Sequence, residues 1–224
     1  MNKPILILFL FQSFSLSALD LFKADYKAFK DGKEIGYNTL QLSQQGADFV
    51  MSDKTDGTHG MASFLGFKRS EETVFSDVDG VFHPKSYKMT QKVAFNKRTS
   101  EYQVDTETKT IQGTTKDIQW QLEIPKDAYS TPNLVSLNLA NDICDGKTDL
   151  SYPILKNGEI SSYQFKIIRE ENGIVEIDRV HSKPSRTTKT WLDKTRQCLP
   201  VRTYHKEEDE DAVETKLIEI KFNS

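Results

Sequence analysis

The chain has 224 residues, 30 of them lysine or arginine and 33 aspartate or glutamate, with 37% hydrophobic and 28% charged residues. A net negative charge argues against nucleic acid or an anionic membrane surface as the partner. The low apolar share fits a sheet that is wet on one face, and the length suits one domain, because a single β domain reaches this size.

The N-terminal stretch "MNKPILILFLFQSFSLSA" places Lys3 before the apolar run 5–11, followed by the small residues Ser15, Ser17 and Ala18. Residues 1–18 therefore read as a signal peptide removed on export. The rival is a retained anchor, but spanning needs about 20 predominantly apolar residues, and here Gln12 interrupts the run early. No cysteine near the cleavage site supports lipoprotein attachment, and no later segment is long and apolar enough to cross a bilayer. The expectation is a soluble periplasmic protein, residues 19–224 forming a single β-rich domain. Losing Lys3 leaves 29 basic against 33 acidic residues, a net charge of −4.

Period-2 alternation then dominates. Strands are expected at 22–30, 36–42, 49–53 and 73–77. "SYKMTQKVAF" sets Tyr87, Met89, Val93 and Phe95 on one face against Lys88, Thr90 and Lys92, and a further strand covers 101–105. In "DIQWQLEI", Ile118, Trp120, Leu122 and Ile124 oppose Asp117, Gln119, Gln121 and Glu123. "SYQFKI", 174–180, 186–192 and "TKLIEIKF" follow, the last with Ile218, Ile220 and Phe222 on one side. Asp31-Gly32, Asp56-Gly57, Asp79-Gly80, Asn157-Gly158 and Asn172-Gly173 mark tight hairpins, since these dipeptides tolerate positive φ. The helices that parallel crossovers need are missing, so the strands form an antiparallel meander.

One helix stands out. "STPNLVSLNLANDICDG" offers Ser130 or Thr131 as N-cap, Pro132 in the first turn and Gly146 as the stop. Its apolar residues Leu134, Leu137, Ile143 and Cys144 want a sheet to cover, and Val135 and Leu139 widen that face. "MASFLGF", 61–67, reads equally as a strand end or a helical turn. The expected architecture is mainly β: a curved antiparallel meander, an open or half β-barrel, wrapped around one main α-helix.

Chemistry is harder to find. There is no G-x-S-x-G, H-E-x-x-H, C-x-x-C or Gly-rich phosphate loop, which gives no enzyme, cofactor or metal expectation. His59, His83, His181 and His205 are scattered singly. Glu71 and Glu72 point to opposite faces of a strand, so they do not share a substrate. Cys144 and Cys198 in an exported chain read as one disulfide, with two free thiols as the alternative. "TWLDKTRQCLPVR" reads as a strand, a turn at 193–197 and a returning strand, with Trp191 on its inner face.

The order of short signals resembles the exported bacterial family of domain of unknown function 3108. The matching stretches are "ADYKAFKDGKEIGYNTLQL", "SEETVF" with "DGVFHPKSY", "FNKR" and the "TKTWLDKTRQCLPVR" hairpin. The resemblance covers nearly the whole mature chain and implies location and fold rather than activity. Such proteins look similar to periplasmic half-barrel carriers of lipids and lipoproteins. Two functions follow. In one, Tyr87, Met89, Trp120 and Trp191 line a site for a lipid or other hydrophobic small molecule. In the other, these side chains fill a dry core and the outer surface binds a protein partner in the envelope. Alternation does not separate a hollow core from a filled one; an apolar cavity of about 300 Å³ or more does.

Overall fold

The computed structural model describes residues 19–223; the signal-peptide expectation, 1–18, lies outside the described residues. Eight strands come first: β1 (Leu21–Lys30), β2 (Lys33–Gln45), β3 (Asp48–Gly57), β4 (Lys68–Val78), β5 (Val81–Val93), β6 (Asn96–Asp105), β7 (Thr110–Thr115) and β8 (Ile118–Glu123). A short helix α1 (Gly60–Phe64) interrupts them between β3 and β4. After the main helix α2 (Val135–Cys144) come β9 (Leu150–Lys156), β10 (Glu159–Glu171), β11 (Ile174–Val180), β12 (Thr187–Asp193), β13 (Leu199–Lys206) and β14 (Val213–Asn223).

All fourteen strands belong to one antiparallel sheet in the order β8 to β1, then β14 to β9. The first strand pairs with the last, from Leu21 opposite Asn223 to Lys30 opposite Val213. Two meanders therefore run outward from the middle, and β8 and β9 become the two edges. Hydrogen bonding does not join these edges, so the sheet is an open, barrel-like wrap. Residues 124–149 connect the edges and carry α2 over the concave face. On the way Ser130 forms a parallel bridge with Ile154, donating to the Pro153 carbonyl (2.8 Å) and accepting from Leu155 N–H (3.0 Å). That bridge covers the free side of β9, where unpaired backbone groups would otherwise invite another strand.

Helix α2 buries Val135, Leu137, Leu139, Ala140 and Ile143 against Phe22, Leu42, Met51, Phe75, Ile177 and Leu192. At about 1.5–3 kcal/mol for each large apolar side chain fully buried, this contact dominates the docking of the helix. Polar residues fix its orientation. The Asn133 amide donates to the Met51 carbonyl (2.9 Å), and its carbonyl oxygen accepts from the Thr73 and Thr131 hydroxyls (2.7 and 2.9 Å). Cys144 and Cys198 are disulfide-bonded with Cα atoms 5.7 Å apart, tying the end of α2 to the start of β13.

Several expectations need correction. The helix begins at Val135, not beside Ser130; Ser130 is spent on the bridge to β9, and the Thr131 hydroxyl accepts from Leu134 N–H (3.2 Å) one turn ahead of the helix. Asp56-Gly57 is not a hairpin turn, because both residues remain paired in β3. Phe95 leaves the Tyr87 face and stands fully exposed in the β5–β6 turn, where Ala94 takes a positive φ. A bulge in the β1–β14 pairing skips Ile218, so Leu217 and Ile220 face the core while Ile218 is exposed. Ile118, at the start of the edge strand, is also exposed.

Candidate functional site

Helix α2 fills one end of the wrap and leaves the other end hollow. A cavity of about 600 Å³ lies under β1, β2, β3, β13 and β14. Its wall is mostly apolar: Tyr26, Ala28, Leu40, Pro200 and Val213 from the sheet, Met61, Ala62 and Leu65 from α1 and the residue after it, and Phe67 and Val93 beside them. Ser136 of α2 closes the inner end. The volume falls in the range of small-molecule pockets, about 300–1,000 Å³.

Helix α1 caps the outer end, and local backbone explains how. Thr58 and His59 N–H groups donate to the Ile35 carbonyl (2.9 and 3.2 Å), Gly57 N–H to Phe67 (2.8 Å), and Phe67 N–H back to Ala62 (2.9 Å). The helix thus lies directly on the end of β3. A Cβ at Gly57 would come 2.8 Å from the Ala62 Cβ, so glycine permits the contact. Across the mouth, Ala94 N–H donates to the Leu65 carbonyl (2.6 Å), holding the β5–β6 turn against the residue that follows α1.

One charged group breaks the apolar lining from within. Asp53 continues the inward register of Met51 on β3 and borders the cavity. Asn38, on β2, donates to its Oδ1 (2.5 Å) and to the Thr55 hydroxyl (3.0 Å). Its cross-strand partner is Glu71 of β4, itself buried. Glu71 accepts from both the Nε and an amino group of Arg69 and from the Tyr87 hydroxyl (3.1 Å); Arg69 also reaches Gln91 (2.8 Å). Burial, then the Glu71 charge, pushes the Asp53 carboxyl up to about 6, against the pull of Asn38 and Arg69. Burial and then Glu71 push the Tyr87 phenol well above its ordinary range, so it remains a donor. Sequence reasoning missed Asp53; the signal was an acid in the register of a buried methionine.

Three of the four residues expected to line a ligand site do come together. Tyr87 packs on Tyr102 (centroids 5.6 Å apart) and Tyr102 on Trp120 (6.1 Å), with Met89, Ile111, Tyr129 and Leu155 around them. They form a packed aromatic wall beside the cavity rather than its lining. Trp120 closes the seam between the sheet edges. Its indole lies over Gly113 of β7, where a Cβ would overlap it, and against the backbone of Gly158 in the β9–β10 turn; its Nε1 donates to the Thr115 hydroxyl (3.1 Å). Tyr87, Tyr102 and Trp120 instead border a second, wetter groove of about 740 Å³, together with polar residues such as Ser86, Gln103, Gln112 and Gln121.

Trp191 does not join them. It alternates with Leu192, which faces the core, so Trp191 turns to the convex face beneath the Arg202 guanidinium, 4.4 Å from its ring. The hairpin expected there is present, with a 3-10 turn at Lys194–Arg196 between β12 and β13. Two scattered histidines also meet: Thr188 bridges His181 Nε2 and His205 Nδ1, each at 2.8 Å. Burial, then Arg179 and Arg186, hold His181 below its ordinary range.

Among the described residues, no helix is long and apolar enough to cross a membrane. No protein-family model matches the chain, and no curated protein matches it. A similar solved structure is the crystal structure of a β-barrel-like protein of domain of unknown function DUF1849 from Brucella abortus. It shares 9% sequence identity at a TM-score of 0.53, covering 92% of this chain and 99% of that one. At that identity the likeness shows the fold alone. It supports a β-barrel-like architecture and does not single out domain of unknown function 3108.

Proposed function

We propose that the protein is a non-enzymatic periplasmic carrier that holds one hydrophobic, lipid-like ligand inside the open barrel. The observation that carries this reading is the apolar cavity of about 600 Å³ between α1 and α2. An acyl chain gains about 0.8 kcal/mol per buried methylene, so ten methylenes give a gross figure of about 8 kcal/mol before the costs of immobilising the ligand. A disulfide and the absence, among the described residues, of a membrane-crossing helix are compatible with export.

The test uses protein purified from its own envelope without detergent. Native mass spectrometry should show a bound mass that solvent extraction removes. Ala28 is buried and borders the cavity, so an Ala28→Trp variant prepared identically should fold and carry nothing. Ligand-free wild-type protein that also fails to enhance an apolar fluorescent probe refutes the carrier reading. The alternative, an interaction module of the envelope, has its own observation in the exposed Phe95 of the β5–β6 turn and Met61 of α1.

A further inference from the structure

We propose that the cavity selects an amphiphile whose polar end donates hydrogen bonds, a protonated amine foremost, and that Asp53 is the group that receives it. The inference rests on the reading of the cavity as the site of an apolar chain, and it names what stands at the end of that chain.

The charges around the cavity are balanced everywhere except at Asp53. At the rim, Lys30 lies 3.4 Å from Asp211 and Asp56 lies 3.6 Å from Lys68, so each borders the cavity already paired. Deeper in, Asp53 and Glu71 face one another across β3 and β4 with a single guanidinium, Arg69, between two carboxylates. Arg69 spends its donors on Glu71 and Gln91, not on Asp53. Glu71 is further engaged by Tyr87. The one hydrogen bond that reaches Asp53 among the described residues comes from the neutral Asn38. The second carboxylate oxygen therefore has no hydrogen bond from the protein among the described residues. It sits in a half-buried position between Asn38 and Thr55 and the apolar part of the lining, where a charged acceptor gains from meeting a cation.

The other groups around Asp53 do not supply that donor. Tyr26 from β1 gives its hydroxyl proton to the Pro200 carbonyl (2.8 Å), and Ser136 from α2 gives its own to the Asn133 carbonyl (2.8 Å). A ligand carboxylate entering this end would meet two acids against one committed arginine. A ligand ammonium would complete the pair, and a hydroxyl or amide N–H would donate without the charge. Asp53 takes up a proton near pH 6, so the attraction for a cation weakens in acid, while Arg69 keeps its charge and Tyr26 and Tyr87 stay neutral.

The experiment compares dodecylamine, dodecanol and dodecanoate as competitors of an apolar fluorescent probe on delipidated full-length mature protein. At pH 8 the amine should bind at least tenfold more tightly than the carboxylate, with the alcohol between them. The amine preference should shrink several-fold at pH 5. Asp53→Asn keeps a carbonyl oxygen for Asn38 and turns an NH2 toward the ligand; in it the amine advantage should disappear, while the alcohol, whose hydroxyl accepts as well as donates, still binds. Equal binding of all three overturns the inference and leaves the carrier reading intact. An amine preference that survives Asp53→Asn reports the protein's overall negative charge and also overturns it. If none of the three binds, the carrier reading and this inference fall together.

Discussion

Asp53 should cost the fold stability, and the cost has a pH signature. Its carboxyl titrates at about 6 in the folded protein, against an ordinary value of 3.8. The folded state therefore binds more protons than the unfolded state between these values, and stability falls as pH rises through that window. At 1.36 kcal/mol for each tenfold change, the full gap corresponds to about 3 kcal/mol above pH 6. Asp53→Asn removes the charge and keeps the acceptor for Asn38. Part of the gain is lost, because Arg69 loses a favourable charge and the new amide needs a partner, which leaves about 1–2 kcal/mol. For a chain of this length that raises the melting temperature by about 2–8 °C at pH 8. At pH 4 the variant and the wild type should nearly coincide. The measurement is urea unfolding followed by tryptophan fluorescence at intervals from pH 4 to 8, read as variant minus wild type. Taking the difference cancels carboxylates such as Glu176 and Glu214, which sit below their ordinary range and lose their stabilising effect in acid in both proteins. A variant less stable than the wild type at pH 8, or a gap that does not change with pH, refutes the reasoning.

Three further outcomes follow from the packing. Asn133→Ala should lower stability by about 1–3 kcal/mol in urea unfolding, because it removes three buried hydrogen bonds, one to the Met51 carbonyl and two from the Thr73 and Thr131 hydroxyls. Breaking the Cys144–Cys198 bond, which spans 54 residues, should cost up to about 4 kcal/mol, read as a drop in the urea midpoint under reducing conditions. Gly113→Val should evict the Trp120 indole from the seam; in a Trp191→Phe background, where Trp120 is the sole tryptophan, its emission, excited selectively over tyrosine, should shift to the red.

Sequence periodicity revealed the strands wherever one face was dry and the other wet. "DIQWQLEI" and "SYKMTQKVAF" alternate because their strands cover a core on one side alone. β9 escaped because Leu150, Tyr152, Ile154 and Leu155 are all buried, which breaks the alternation at its end. β7 escaped because it is short and threonine-rich. Two side chains escaped for different reasons. The bulge at Ile218 changes which face a side chain takes, and one extra residue in a strand leaves no mark on composition. Trp191 faces outward by plain alternation with the buried Leu192, and the two apolar neighbours gave no sign of which one the core would take. The aromatic cluster of Tyr87, Met89 and Trp120 was legible as a group, since cross-strand rows follow from hairpin register. Its place as a wall beside the cavity was not, because a void is a property of how far a sheet curves.

The position of that void relative to the seam bears on how a ligand reaches it. Five strands around the cavity, β3, β2, β1, β14 and β13, are joined by backbone pairing that single bulges interrupt without opening, so parting them means breaking a ladder of hydrogen bonds. The unpaired seam between β8 and β9 lies elsewhere and is plugged by Trp120, Tyr102, Tyr129 and Leu155. Inward, Ser136 and the buried leucines of α2 close the space, and the disulfide restrains that helix. What remains is the α1 end. There the cap is a single helical turn without a side-chain N-cap, held to the β5–β6 turn through Ala94. Lifting it breaks local backbone bonds at Ile35, Gly57 and Leu65 rather than a strand ladder, and opens a path beside Met61. Local opening is cheapest where buried contacts are fewest. On the carrier reading, a disulfide between residues 65 and 94, whose backbones already touch, should slow ligand exchange without changing the bound complement.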